Sequence, residues 1–254
     1  MTAAVLHCRH DLVEGRIARR YQRFLCDVEL DGGRAVVAHC ANTGTMATCW
    51  APGDTVLLEP NDDLRRKLRY SLIAVRRNTT WVGVHTAIPN LVVAEAARRD
   101  LLPGLPGLTA VRTEVPYGAE RSRIDLLAED AGGRKVYVEV KNTTLRTVTA
   151  DGPVVTFPDA VTARGTKHLR ELRAVVEAGH RAAVVFFVHR GDAAAFDVAN
   201  DIDPDYAEEL DRAAAASVKV LPVQADLIVQ RERDGWNASW SLAGLLPWVR
   251  ARPR

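Results

Sequence analysis

The stretch that most constrains how this chain can fold spans residues 123 to 145 and reads RIDLLAEDAGGRKVYVEVKNTTL. Two runs rich in β-branched and apolar residues, 123–129 and 135–142, flank a Gly132-Gly133 turn signal, which predicts an antiparallel hairpin. The second run alternates strictly, with Val136, Val138 and Val140 on one face and Tyr137, Glu139 and Lys141 on the other. In the first run Ile124 and Leu126 share a face and Asp125 takes the opposite one. Loop length then decides the outcome, because a one-residue slip in register moves every side chain to the other face of the sheet. A two-residue Gly-Gly loop pairs Ala131 with Arg134 and turns Asp125 away from Glu139. A three-residue loop over 131–133, with one glycine left-handed, pairs Asp130 with Arg134 and sets Asp125 across from Glu139. We adopt the three-residue loop.

Asp on one strand beside Glu-x-Lys on the next suits metal-assisted attack on a phosphodiester. Asp125 and Glu139 supply hard oxygen ligands for Mg2+ or Mn2+, with the Val140 carbonyl lying between them as a further donor. Lys141 then orients water or stabilises charge on the phosphoryl oxygens. Alone, the Glu-Val-Lys triplet is more often an ordinary surface ion pair. The chain carries only five lysines against twenty-nine arginines, so Lys141 departs from its usual choice of cation.

With 254 residues, 47% of them hydrophobic, the chain predicts one or two domains with an ample core. The net charge of +2 is too small to argue for nucleic acid from the total. Cys8, Cys26, Cys40 and Cys49 have no C-x-x-C spacing, which points to reduced thiols rather than a zinc knuckle or disulfide framework. No apolar run approaches the roughly 20 residues of a membrane span, and Arg9, His10 and Asp11 stand where a signal peptide needs an apolar core. A cytoplasmic location without membrane contact is expected.

Residues 1–86 read as short strands at 12–17, 24–30, 34–38, 55–59, 72–76 and 81–84, whose even spacing suggests a small barrel. Arg19, Arg20, Tyr21, Arg23 and Phe24 interleave charge with flat stacking surfaces, which suits nucleic-acid contact. One core aromatic among solvated arginines is the competing explanation. A second basic run, Arg65 to Lys67 with Arg69, reads better as a solvated face. In HCANTGTM, residues 39–46, Asn42, Thr43 and Gly44 form a polar turn whose amides are candidates to face a phosphate. His39 and Cys40 lack a second pair at ligand spacing and read as structural.

From Pro89 the period changes. A helix capped by Asn90 is expected to run to about Leu102, ended by Pro103 and Gly104. A strand follows in which Val111, Thr113 and Val115 share one face and Glu114 takes the other, as a third carboxylate beside Asp125 or as a structural ion pair. After the hairpin, Thr162 caps a helix with an apolar stripe at Leu169, Leu172 and Val176, stopped by Gly179. Arg164, Lys167 or His168 would receive a scissile phosphate at its N-terminus. Residues 182–188, AAVVFFV, form a strand buried on both faces, so the expected order is helix, three strands, helix, strand. Asp203-Pro204 opens another helix, strands at 218–223 and 227–230 follow, and an acidic stretch from Asp192 to Asp211 is expected to face away from nucleic acid. Trp236, Trp240 and Trp248 pack in the core, cover an edge strand, or meet a partner subunit in a homodimer.

Taken together, RRYQRFLCDVEL, HCANTGTM, WVGVHTAIPN, YGAERSRIDLL, VEVKNTTL and FPDAVTARGTKHLREL resemble the sugar fermentation stimulation protein A family over nearly the whole chain. The resemblance implies an α/β (α+β) fold: an OB-like small β-barrel over 1–86, then a restriction-endonuclease-like PD-(D/E)xK domain over 87–254, with a mixed central sheet flanked by helices. It also implies DNA-binding or nuclease activity on DNA or RNA, with Asp125, Glu139 and Lys141 in the catalytic places. Asp125, Glu139 and Glu114 would then hold Mg2+ or Mn2+, and the alternative is a DNA-binding regulator of sugar (maltose) utilisation genes that cuts nothing. Ala41, Thr45, His85 and Asn142 depart from the residues usual in that family. A metabolic enzyme acting on a sugar finds little support, because no nucleotide-binding loop of the usual kinds is present.

Overall fold

The computed structural model describes residues 3–63, 65–118 and 122–250, so 119–121 of the YGAERSRID motif lie outside it. The elements in chain order are β1 (His7–Tyr21), β2 (Leu25–Leu30), β3 (Ala35–His39), β4 (Thr55–Pro60), β5 (Tyr70–Arg77), β6 (Thr80–Gly83), α1 (Ile88–Arg98), β7 (Thr109–Tyr117), β8 (Ser122–Glu129) and β9 (Lys135–Thr143). They continue as β10 (Leu145–Thr149), β11 (Gly152–Phe157), α2 (Ala163–Glu177), β12 (Arg181–Val188), β13 (Ala195–Val198), α3 (Pro204–Ala215), β14 (Lys219–Arg231) and β15 (Trp236–Leu245).

The first half closes on itself. Strand β1 pairs antiparallel with both β2 and β4, β2 pairs with β3, β3 runs parallel to β5, and β5 pairs with β4. This cyclic order is that of a five-stranded OB-like barrel. Ile17, Val28, Val56, Leu58, Leu72 and Val75 fill its interior with Cys26, Cys40 and Cys49.

The second sheet runs β7-β8-β9-β12-β14-β15 and ends on the first part of β1. Pairing is antiparallel at its two ends and parallel in the middle, where β12 lies between β9 and β14. Strand β12 is apolar from Ala182 to Val188, as suits a strand whose two faces are both covered by helices. Val185 and Phe187 join the core under α1, with Val92, Val93, Val136, Val138 and Trp240. Val184, Phe186 and Val188 join the core under α2 and α3, with Leu169, Leu172, Tyr206 and Leu210.

Three expectations are corrected. Helix α1 starts at Ile88 after Ala87, which makes no side-chain cap, so Asn90 lies inside the helix, and the helix ends at Arg98 rather than near Leu102. Residues 145–157 form the β10–β11 hairpin, to which β13 adds in parallel, ahead of α2. The two strands expected at 218–230 are one, β14. Trp240 is fully buried, whereas Trp236 and Trp248 pack partly exposed at the edges of the two helix-covered cores. Helix α2 does begin at Thr162, whose hydroxyl accepts from Gly165 N, and Asp203 caps α3 by accepting from Tyr206 N.

Candidate functional site

The hairpin geometry is that of the three-residue loop. Asp130 N donates to Arg134 O at 2.9 Å, Gly133 N donates back to Asp130 O at 2.9 Å, and Gly133 adopts φ +74°. Pairing runs Glu129 to Lys135, Ala128 to Val136, Leu127 to Tyr137 and Leu126 to Val138. One step further along the same register, Asp125 faces Glu139. Beyond that point the ladder opens and side chains take it over: Asp125 Oδ2 accepts from Val140 N at 2.7 Å. Helix α1 supplies the other clamp, Asn90 Nδ2 donating to Asp125 Oδ1 at 2.8 Å.

Glu139 is 3% exposed, so its charge must be compensated. Lys141 Nζ donates to Glu139 Oε1 at 2.6 Å, and His168 Nδ1 meets the same oxygen from α2. The second oxygen, Oε2, is buried without a hydrogen-bond partner among the described residues. On the far side of His168, Arg164 Nε approaches Nε2 at 3.4 Å, which makes Nδ1 the protonated nitrogen that donates to Glu139. One helical turn on, Glu171 is 7% exposed, and neither of its carboxylate oxygens has a hydrogen-bond partner among the described residues. The two facing carboxylates respond differently. Burial and the neighbouring Glu139 push Asp125 up to about 6, despite the bonds from Val140 and Asn90. Burial acts the same way on Glu139, but Lys141 and His168 outweigh it and hold that carboxyl below its ordinary value.

These groups line a cleft of about 410 Å³, closed on the barrel side by Ala41, Thr43 and Thr86 and on the helix side by Thr162, Arg164 and His168. Arg20 organises that barrel edge. Its Nη2 donates to Asn42 O at 2.8 Å and Gly44 O at 2.9 Å, and its Nη1 to Thr45 O at 3.3 Å. Asp159 ties the same loop to the second half, accepting from Thr45 N at 2.7 Å, and a Cβ on Gly44 would stand 2.4 Å from the Asp159 carboxylate.

Several expected site residues sit elsewhere. Glu114 is exposed on β7 at φ +54° and does not line the cleft, and the described residues contain no group of three or more His, Cys, Asp or Glu side chains able to hold a metal ion. Among the described residues, only the Asp125 and Glu139 carboxylates line the cleft. Asn42 is buried, its Oδ1 accepting from Gly44 N, so of the amides expected to face a phosphate that of Gly44 is already bonded, and Thr43 alone of the Asn42–Thr43 pair opens on the cleft. Arg19 pairs with Asp27 and lies 4.6 Å from the centre of the Tyr21 ring, whose hydroxyl donates to the same Asp27. Neither residue lines the cleft, nor do Arg23 and Phe24, which lie exposed at the turn after β1. Lys167 is partly buried off the cleft, and His168 points at Glu139 instead of outward. Sequence reasoning missed Asn90, read as a cap, and gave Asn142 no place in the site, although that residue lines the cleft.

Two family models match along the chain: the SfsA N-terminal OB domain over residues 18–84 and the sugar fermentation stimulation protein RE domain over residues 87–231. The chain belongs to the sugar fermentation stimulation protein family. Within it, the chain is 50% identical over 217 residues to a sugar fermentation stimulation protein homolog of Rhodospirillum rubrum, covering 82% of this chain and 88% of the relative. It is 48% identical over 216 residues to the homolog of Citrifermentans bemidjiense, covering 85% and 91%. The solved structure of Pyrococcus furiosus SfsA in complex with Ca2+ is similar at 26% identity and a TM-score of 0.81, covering 97% of this chain and all of that one. The family's two-part description coincides with the barrel and the helix-covered sheet found here. No helix among the described residues is long and apolar enough to cross a membrane.

Proposed function

We propose that this protein is a divalent-metal-dependent nuclease that hydrolyses phosphodiester bonds of DNA or RNA in the cleft between barrel and sheet. The observation that carries this reading is the buried, unpartnered Oε2 of Glu139 opposite the Asp125 carboxylate, with Lys141 at 2.6 Å from the neighbouring oxygen. A buried charged oxygen without a partner is costly, and a cation is the partner that would remove the cost. The donor set fits: two carboxylates leave a hard cation most of its waters, as Mg2+ and Mn2+ prefer. The Ca2+ in the Pyrococcus furiosus relative is consistent with a hard-cation site. Asp125 and Glu139 would hold the ion, which when bound supplies Lewis-acid polarisation of the phosphoryl group.

The remaining roles belong to the chain itself. Asn90 and the Val140 amide fix the Asp125 carboxylate, while Lys141 and His168 keep Glu139 ionised. Lys141 would hold the attacking water or the charge building on phosphorus oxygens, and Arg164, exposed at the start of α2, would grip the phosphate. Labelled single- and double-stranded DNA and RNA incubated with and without Mg2+ test the reading. Cleavage that needs the metal and vanishes in Asp125→Ala and Glu139→Ala, with binding retained, is expected. Salt-sensitive binding without cleavage under any of these conditions would make the protein a non-cutting DNA-binding regulator instead.

A further inference from the structure

Behind the cleft lies a chain of three side chains that the proposed chemistry does not use. Trp240, on β15, is fully buried, and its indole Nε1 donates to His189 Nε2 at 2.7 Å. His189, at the end of β12, is also fully buried, and its Nδ1 lies 3.1 Å from Asn142 Oδ1. An indole N–H only donates, so His189 Nε2 must be the acceptor and carry no proton. The proton of the neutral ring therefore sits on Nδ1 and is donated to Asn142. Burial, together with the charge of His85, holds His189 down to about 3, so the ring stays neutral across the physiological range. An amide that receives such a donor must turn its carbonyl toward it, which orients Asn142 without appeal to the shape of the group. The barrel locks the arrangement: Gly83 N donates to His189 O at 2.9 Å, and a Cβ on Gly83 would stand 1.9 Å from His189 Nε2.

Asn142 directly follows Lys141, and it borders two cavities. One is the acidic cleft; the other, of about 280 Å³, is lined by Thr43, Thr86, Thr144, Thr156, Thr162 and Asp159 among others. We infer that Trp240 and His189 are positioning residues that lock the Asn142 amide with its NH2 toward the cleft, where it donates to an acceptor oxygen of the nucleotide next to the scissile linkage. The substrate class rests on the nuclease reading above, while the amide orientation stands on hydrogen-bond polarity alone.

Two measurements on the full chain test this. Nitrogen-15 NMR of histidine-labelled protein reads the His189 tautomer: an Nδ1–H ring is expected in the wild type, and an Nε2–H or doubly protonated ring at pH 7 overturns the inference. Binding of a labelled oligonucleotide is then measured with Ca2+ in place of Mg2+. Asn142→Ala is expected to weaken it about ten-fold, the loss of one hydrogen bond, with kcat in Mg2+ changed less than KM. Asn142→Asp is expected to be worse than Asn142→Ala, because it puts a carboxylate oxygen where a donor stood. Trp240→Phe frees the His189 tautomer and should move KM the same way, whereas a purely structural role would change stability and leave KM alone. Unchanged binding in Asn142→Ala, or an Asn142→Asp variant that binds as tightly as wild type, would sink the inference while leaving the nuclease reading untouched. Cleavage that persists in Glu139→Ala would remove the nuclease reading while the binding loss at Asn142 still stood. A wild-type protein that binds no oligonucleotide would overturn both.

Discussion

Asp125 and Glu139 face each other across the β8–β9 pair, yet burial leaves the first carboxyl raised to about 6 while Lys141 and His168 keep the second below its ordinary value. The site thus holds one carboxylate ready charged and another that gives up its proton close to neutrality. The following expectations come from that asymmetry and from the contacts around it.

In the metal-free protein the Asp125 carboxyl should titrate near 6, read by carbon-detected NMR. Its folded value lies above the ordinary 3.8, so the folded state binds this proton more tightly than the unfolded chain. The resulting destabilisation begins as pH rises past 3.8 and is complete above 6. Asp125→Ala lacks the titration, so the stability of wild type relative to this variant should fall by about 2 to 3 kcal/mol between pH 4 and pH 7 in urea unfolding. For Glu139 the sign is reversed, its charge contributing stability that is lost as pH falls through its lowered folded value.

Ca2+ should stabilise the fold at neutral pH. At one hundred times the dissociation constant, a ligand that binds only the folded state adds about 2.7 kcal/mol, which in a protein of this size raises Tm by roughly 5 to 10 °C. The rise should shrink at pH 5, where the proton competes for Asp125, and disappear in Asp125→Ala and Glu139→Ala. A chelator should reverse it in wild type. An equal rise in those variants would show that the ion binds elsewhere.

Gly83→Ala is expected to destabilise by about 1 to 3 kcal/mol, because the new methyl would overlap the His189 ring and neither group has room to retreat. Thermal denaturation checks this, and a variant as stable as wild type would show that β6 does not press on the His189 ring.

Replacing Arg20 by Met removes the donor that gathers the carbonyls of Asn42, Gly44 and Thr45. Bonds from a charged donor contribute about 1.5 to 3 kcal/mol, so a loss in that range is expected together with faster proteolysis between residues 40 and 46. An unchanged cleavage rate there would mean that Asp159 alone holds the loop.

Much of this was legible because local rules and the tertiary fold agree. The Gly132-Gly133 signal and the strict alternation after it narrow the hairpin to two registers, of which the three-residue loop sets Asp125 against Glu139, and Thr162, Gly179 and the apolar run in β12 mark α2 and its neighbour. What stayed hidden depends on distant partners. Asn90 looks like a cap from its neighbours in sequence, but its use is fixed by a carboxylate 35 residues away. Glu114 alternates correctly on paper, and the left-handed backbone at that residue interrupts the alternation. His189 carries no motif, and it meets Trp240 and Asn142 only because β9, β12 and β15 belong to one sheet.

Strand β1 offers His7 to Arg9 and Leu12 to β15 before its remaining length completes the barrel. One continuous backbone is therefore stitched into both halves of the molecule, and no scissors placed near residue 86 can part them cleanly. A fragment starting there would expose the bare rim of β15 that residues 7 to 12 of β1 normally zip shut, inviting sticky chain-to-chain association. The barrel and the acidic cleft should melt together, as a single cooperative event.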